Sequence, residues 1–129
     1  MGQFLPADHS RGDANTIGGY MAVHNRPAAF EGSDRASYSV EIVSDVGDDK
    51  ERPFGAYLLF VRWRETDPVA TGHLETDFLG FGRTEEEARA VVGRLSLNEV
   101  KVRLDELIKA RQAGLRPWWE AMREESDEA

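Results

Sequence analysis

The stretch Gly82-Arg83-Thr84-Glu85-Glu86-Glu87-Ala88 joins a segment of strand character to one of helix character. Thr84 can accept the free amide hydrogen of Glu87, and the Glu87 carboxylate can reach back to the Thr84 amide, which is the reciprocal capping box of a helix start. Gly82 lets the chain turn out of the strand. The stretch therefore predicts a strand that passes directly into a helix over 85–95.

Two amphipathic helices are predicted from this junction onward. The first places apolar residues at the i, i+3, i+4 and i+7 positions of one stripe, which are Ala88, Val91, Val92 and Leu95. The second begins at another capping box, Ser96-Leu97-Asn98-Glu99, and Gly114 is placed to end it. Pro117 suits the first turn of a short third helix that carries Trp118 and Trp119.

Three strands are predicted before the helices. Residues 38–42 alternate between apolar and polar side chains, as in a half-buried strand. The apolar segment 55–64 favours a central strand, and 72–81 gives a third. Strands followed by helices predict an α+β fold, with a three- to four-stranded antiparallel sheet, two amphipathic helices and a short C-terminal helix.

The pattern along the chain predicts one domain with two irregular ends. Residues 1–35 are rich in glycine and small residues without periodicity and are expected to form a flexible N-terminal arm. Residues 36–123 are expected to form the single α+β domain. Residues 124–129 are expected to form an acidic disordered tail.

Composition narrows the classes of partner. The 129 residues carry a net charge of −8, and the basic residues are dispersed, so we expect no nucleic-acid ligand. There is no cysteine, no apolar signal segment near Met1 and no run long enough to span a bilayer. A cytoplasmic protein without a membrane partner is expected.

The pairing of the second and third strands decides which residues share a sheet face. One register would place Glu75 and Asp77 among Leu59, Val61 and Trp63, and unpaired carboxylates in that apolar company are costly. The other register avoids this and is the one expected here. It leaves an apolar group on the face opposite the helices, consisting of Leu58, Phe60, Leu79 and Phe81.

This apolar group is expected to be covered, because soluble monomers seldom leave such a patch bare. The covering element is expected to be the N-terminal arm, the segment with Trp118 and Trp119, or a second copy of the chain. A homodimer is favoured, since a small sheet also has two edges to protect. The candidate partner-binding residues are Leu58, Phe60, Leu79, Phe81, Trp118 and Trp119.

No residue is predicted to be catalytic, and no cofactor or metal is expected. His73, Glu75 and Asp77 could point the same way from one strand, but an extended strand separates the outer pair by roughly 13 Å. A surface of cross-strand ion pairs with Arg62 and Arg64 explains them more simply than a metal site. A nucleophile elbow, a phosphate loop and a dinucleotide fingerprint do not occur in the sequence.

Residues 38–108 resemble the HicB-like antitoxin fold. The resemblance is carried by Gly82, Thr84, Glu86, Glu87 and Ala88, and by Tyr38-Ser39-Val40-Glu41-Ile42 as the first strand. It implies a non-catalytic α+β binding module.

The hypothesis that follows is a small cytoplasmic, non-enzymatic protein-interaction domain. A metal-assisted hydrolase or other enzyme that uses His73, Glu75 and Asp77 is the main alternative. A HicB-like antitoxin is the second.

Overall fold

The computed structural model describes residues 7–63 and 70–114. The described strands form one antiparallel sheet in the order β1-β2-β3-β4, and β5 also pairs with β3. The strands are β1 (Ala28–Glu31), β2 (Ser37–Val46), β3 (Phe54–Trp63), β4 (Ala70–Glu75) and β5 (Gly80–Gly82). The helices are α1 (Ile17–His24), α2 (Glu85–Gly93) and α3 (Leu97–Gly114), and a short 3-10 turn, His9–Arg11, precedes them. The α+β class and the antiparallel sheet are confirmed.

The capping boxes begin both predicted helices. The Thr84 hydroxyl accepts the Glu87 amide hydrogen at 3.1 Å, while the Glu87 carboxylate accepts from the Arg83 amide at 2.8 Å rather than from Thr84. At α3 the Ser96 hydroxyl and the Glu99 carboxylate each accept the other residue's amide hydrogen at 3.1 Å. Both helix starts are therefore fixed by local side-chain chemistry, as predicted.

The predicted third strand is divided into β4 and β5. Both pair with β3, and the residues between them, 76–79, leave the regular ladder. The Thr76 hydroxyl accepts the Leu58 amide hydrogen at 3.1 Å, so a side chain replaces one backbone partner at the break. On either side of this break, β4 and β5 together pair with most of this edge of β3.

The N-terminal residues belong to the fold. Ile17 of α1 is fully buried in the core, and Ala28 of β1 is 2 % exposed. The Ile17 amide donates to the Leu95 carbonyl and the Leu97 amide to the Asn15 carbonyl, each at 2.8 Å. α1 and β1 therefore belong to the folded domain, whereas the sequence pattern predicted a flexible arm over residues 1–35.

Glycines that suggest a loop in the sequence instead allow two helices to touch. A Cβ atom on Gly18 of α1 would lie only 3.0 Å from the Gly93 Cα of α2. Residues without side chains let the helix backbones approach this closely. Gly18 thus marks a packing contact between α1 and α2, which the sequence pattern did not distinguish from a turn.

The strand register is the one that the sequence analysis rejected. Phe60 pairs with Leu74, and Leu59 pairs with Glu75. Leu58 and Phe60 are both fully buried in the core beneath the helices. The prediction was wrong because it treated the Leu59 face as the dry one. That face lies away from the helices, where water solvates the Glu75 carboxylate, so the penalty for burying a charge does not arise.

Two predicted features lie outside the described residues. They are the short third helix with Trp118 and Trp119, and the acidic tail over 124–129. Among the described residues, no helix has the length and apolar character needed to cross a membrane.

Candidate protein-binding face

The sheet has one face beneath the helices and one without a covering layer of described residues. Side chains alternate between these faces along each strand, so the odd-numbered residues of β3 point away from the core. We call this surface the open face and define it by its larger apolar members, which are Val43, Tyr57, Leu59, Val61, Trp63, Phe78 and Phe81.

The centre of the open face is an apolar stripe along β3. Tyr57, Leu59 and Val61 are half-buried by their neighbours, and Trp63 is 36 % exposed. The Trp63 indole N–H donates to the Ser39 hydroxyl at 2.9 Å. This hydrogen bond orients the indole ring toward β2, so the Trp63 side chain is positioned before any partner arrives.

Aromatic rings form one end of the stripe. The Phe78 ring lies over Gly55, where a Cβ atom would come within 2.5 Å of it. Its centroid is 6.1 Å from that of Tyr57 and 5.7 Å from that of Phe81. The Arg52 guanidinium lies 5.6 Å from the Phe81 centroid. Such edge and tilted contacts hold rigid rings at low entropic cost.

Acidic side chains border the stripe. Leu59 is paired with Glu41 of β2 on one side and with Glu75 of β4 on the other. Together with the carboxylates at the outer positions of β1 and β2, they form what we call the acidic rim, consisting of Glu31, Glu41, Asp45 and Glu75. His73, paired with Val61, also lies on this face.

The residues predicted to bind a partner are divided between environments. Leu58 and Phe60 are inside the core and Leu79 packs against it, so these three are not on the surface without helices. Phe81 does lie on the open face, whereas Trp118 and Trp119 are outside the described residues.

The odd-numbered half of β3 was not among the predicted binding residues. The polar side chains of Ser39 and Glu41 in the neighbouring strand carried the signal, because they identify the solvent side of β2 and hence of its partner.

The structure also differs from the predicted surface of cross-strand ion pairs. Arg62 pairs with Gly72 and points to the core side, where its Nε lies 3.6 Å from the Asp34 carboxylate. It does not share a face with His73 and Glu75, and Arg64 is outside the described residues. Within 7–63 and 70–114, no group of three or more His, Cys, Asp or Glu side chains is arranged to hold a metal ion. The metal interpretation of His73, Glu75 and Asp77 gains no support from this geometry.

A polar site that includes Asp34, Tyr38 and Arg62 lies on the other face of the sheet, the face toward the core. The Tyr38 hydroxyl donates to the Asp34 carboxylate at 2.7 Å, beside a cleft of about 290 Å³ that Arg62 and Arg111 also line. Burial, followed by the hydrogen bond to Asp34, raises the pKa of Tyr38 to about 12.

The carboxylate of this site is shifted in the other direction. Burial alone would raise the pKa of Asp34, but hydrogen bonds from Tyr38 and the Ala36 amide, with the charge of Arg62, outweigh it and lower the pKa. Both groups titrate far from neutral pH, which is unfavourable for general acid–base catalysis. The arrangement instead fastens the β1–β2 loop to the sheet.

Comparisons with protein families, with curated proteins and with solved structures find no match for this chain. The resemblance of residues 38–108 to the HicB-like fold stays a prediction.

Proposed function

We propose that the protein is a non-enzymatic protein-interaction domain that binds its partner through the open face. The observation that supports this most is the apolar stripe of β3, with Leu59 and Val61 at its centre, on the side of the sheet that the described helices do not cover. A stripe with aromatic anchors and a polar border has the composition of a protein interface.

The proposed partner is a different protein rather than a second copy of this chain. The homodimer expected from the sequence depended on an exposed group that included Leu58 and Phe60, and both are buried. Two copies joined through their open faces would also bring Glu41 and Glu75 of one against those of the other. Like charges placed opposite each other across an interface are destabilising.

The other candidate functions have weaker support. The acidic rim would repel a phosphate backbone, which supports the expectation of no nucleic-acid ligand. An enzyme centred on His73, Glu75 and Asp77 lacks a supporting geometry. HicB-like antitoxin activity and a cytoplasmic location are predictions from the sequence alone.

Site-specific photo-crosslinking in the native host tests the proposal. A photo-reactive amino acid replaces Leu59 on the open face in one variant and Val102 in the other. Val102 is a matched control, because it is an apolar residue of α3 with 47 % exposure. Adducts with another protein at position 59, and none at position 102, are expected. Equal yields at both positions, no adduct at position 59, or adducts formed only with a second copy would overturn the proposal.

A further inference from the structure

We infer that the partner of the open face is a cationic amphipathic α-helix, lying along β3 with its apolar side on the stripe and its basic side chains over the acidic rim. The inference rests on the proposed function and adds the chemistry of the partner to it. It follows from the shape of the face and the sign of its charges.

The apolar part of the open face is about as wide as an α-helix. The stripe follows β3 and is widened at Tyr57 by Val43 of β2, while the pairing of Leu59 with Glu41 and Glu75 places a carboxylate on each neighbouring strand at its centre. Adjacent strands are about 4.8 Å apart, so these flanking rows are separated by roughly 10 Å. An α-helix with its side chains is about 10–12 Å across. A helix can therefore cover the stripe while its flanks lie over Glu41 on one side and Glu75 on the other.

The length of the stripe also matches a short α-helix. From Tyr57 to Trp63 the stripe extends for about 20 Å at the usual strand rise. A helix of roughly 13 residues spans this distance, which gives three to four turns. Apolar residues at i, i+3, i+4 and i+7 of such a helix would contact the stripe, as in other helix-on-groove complexes.

The charges on the open face are acidic and favour a basic partner. Within the described ranges, the strand residues that place carboxylates on this face are Glu31, Glu41, Asp45 and Glu75, and no strand lysine or arginine accompanies them. Arg52, at the aromatic end, is 3.4 Å from the Asp49 carboxylate. Lysine or arginine on the flanks of the partner would complement this rim. An acidic partner, or this chain with its net charge of −8, would be repelled.

The direct test uses two designed 14-residue helical peptides as probes. Both carry leucine along one side, and their flanks carry lysine in one peptide and glutamate in the other. Fluorescence anisotropy measures the affinity of each labelled peptide for the full chain at low and moderate salt. We expect the lysine peptide to bind, to weaken with added salt, and to shift the backbone amide NMR signals of β3 and β4. The glutamate peptide is expected not to bind.

Charge-reversed variants locate the interaction on the rim. Glu41→Lys with Glu75→Lys should weaken binding of the lysine peptide by about tenfold and give measurable binding of the glutamate peptide. The matched control is Glu86→Lys with Glu106→Lys, which changes the net charge equally at exposed helix positions. It should keep affinity for the lysine peptide within about twofold, because a charge far from the contact is largely screened by salt. Thermal melts confirm that both variants are folded.

Three results would overturn the inference. They are equal binding of both peptides to the wild type, equal loss of affinity in the two double variants, and a wild-type dimer in sedimentation that Leu59→Glu dissociates. If photo-crosslinking at position 59 captures a partner while neither peptide binds, the interaction function stands and only the cationic helix is refuted. If crosslinking fails at that position, the proposed function itself is refuted.

Discussion

Adjacent leucines of β3 provide a direct test of the sheet faces. Leu58 is fully buried in the core, whereas Leu59 is half-buried on the open face. The same substitution, leucine to alanine, at each position therefore compares two environments with strand, side chain and sequence context held nearly constant.

The expected costs differ by a factor of about three. Leu58→Ala removes a side chain that is enclosed on all sides, and the cavity it leaves should cost about 3–4 kcal/mol of unfolding free energy. Leu59→Ala removes a side chain that the helices do not cover, so solvent can fill the space. Complete burial of a leucine contributes roughly 1.5–3 kcal/mol, and half-burial predicts a cost of about 1 kcal/mol.

Urea denaturation followed by far-UV circular dichroism measures both variants against the wild type. With a slope of about 1.5 kcal/mol per molar, the two midpoints should differ by more than about 1 M urea. An unchanged slope would show that both variants unfold from comparable native states. Equal costs, or a greater cost at position 59, would refute the assigned register and the open face with it.

Three further predictions concern stability. Thr84→Ala should lower the unfolding free energy by about 1 kcal/mol in thermal or urea melts, because the α2 cap is lost. Thr84→Ser keeps the hydroxyl and should retain most of the stability that the cap contributes. Equal losses in both variants would show that the hydroxyl is not the cap. Gly18→Ala should cost about 1–3 kcal/mol by forcing α1 away from α2. Gly114→Ala should change little, because among the described residues no atom beyond its own helix backbone and chain neighbours lies within 4 Å of the added Cβ. The reverse order of costs would contradict the contact between α1 and α2. Because the folded-state pKa of Tyr38 is raised from 10.0 to about 12, its contribution is fully present below pH 10 and is lost as the pH rises to about 12. The stability difference between wild type and Tyr38→Phe should therefore shrink by about 2 kcal/mol across that interval in denaturant titrations, and a constant difference would exclude this linkage.

Local features of the fold were predictable where neighbouring residues determine them. The starts of α2 and α3 depend on Thr84 and Ser96 with glutamates three residues later, and both boxes form. The start of α1 carried a similar signal, since the Thr16 hydroxyl accepts the Gly19 amide hydrogen at 3.0 Å. The glycines inside this helix obscured it, because intrinsic preference treats them as helix breakers.

The sheet register was harder to predict because it depends on which surface remains wet. Strand β3 is apolar on both sides, so its own pattern does not reveal its orientation. The polar positions of β2 would have resolved this, because Ser39 and Glu41 pair with Val61 and Leu59. Weighing the cost of a carboxylate beside Leu59 without first assigning the solvent side led to the wrong face for Leu58 and Phe60.

The contact between the start of α1 and the α2–α3 junction also constrains when the chain can fold during its synthesis. Ile17 bonds to Leu95, and Asn15 to Leu97, so residues nearly the whole domain apart close the structure together. A chain emerging from the ribosome presents α1 long before these partners exist. The backbone partners at Leu95 and Leu97 are therefore absent during most of translation, and the docking step that closes this contact joins segments of high sequence separation. Contacts of this kind slow folding and lengthen the interval in which a nascent chain depends on chaperones.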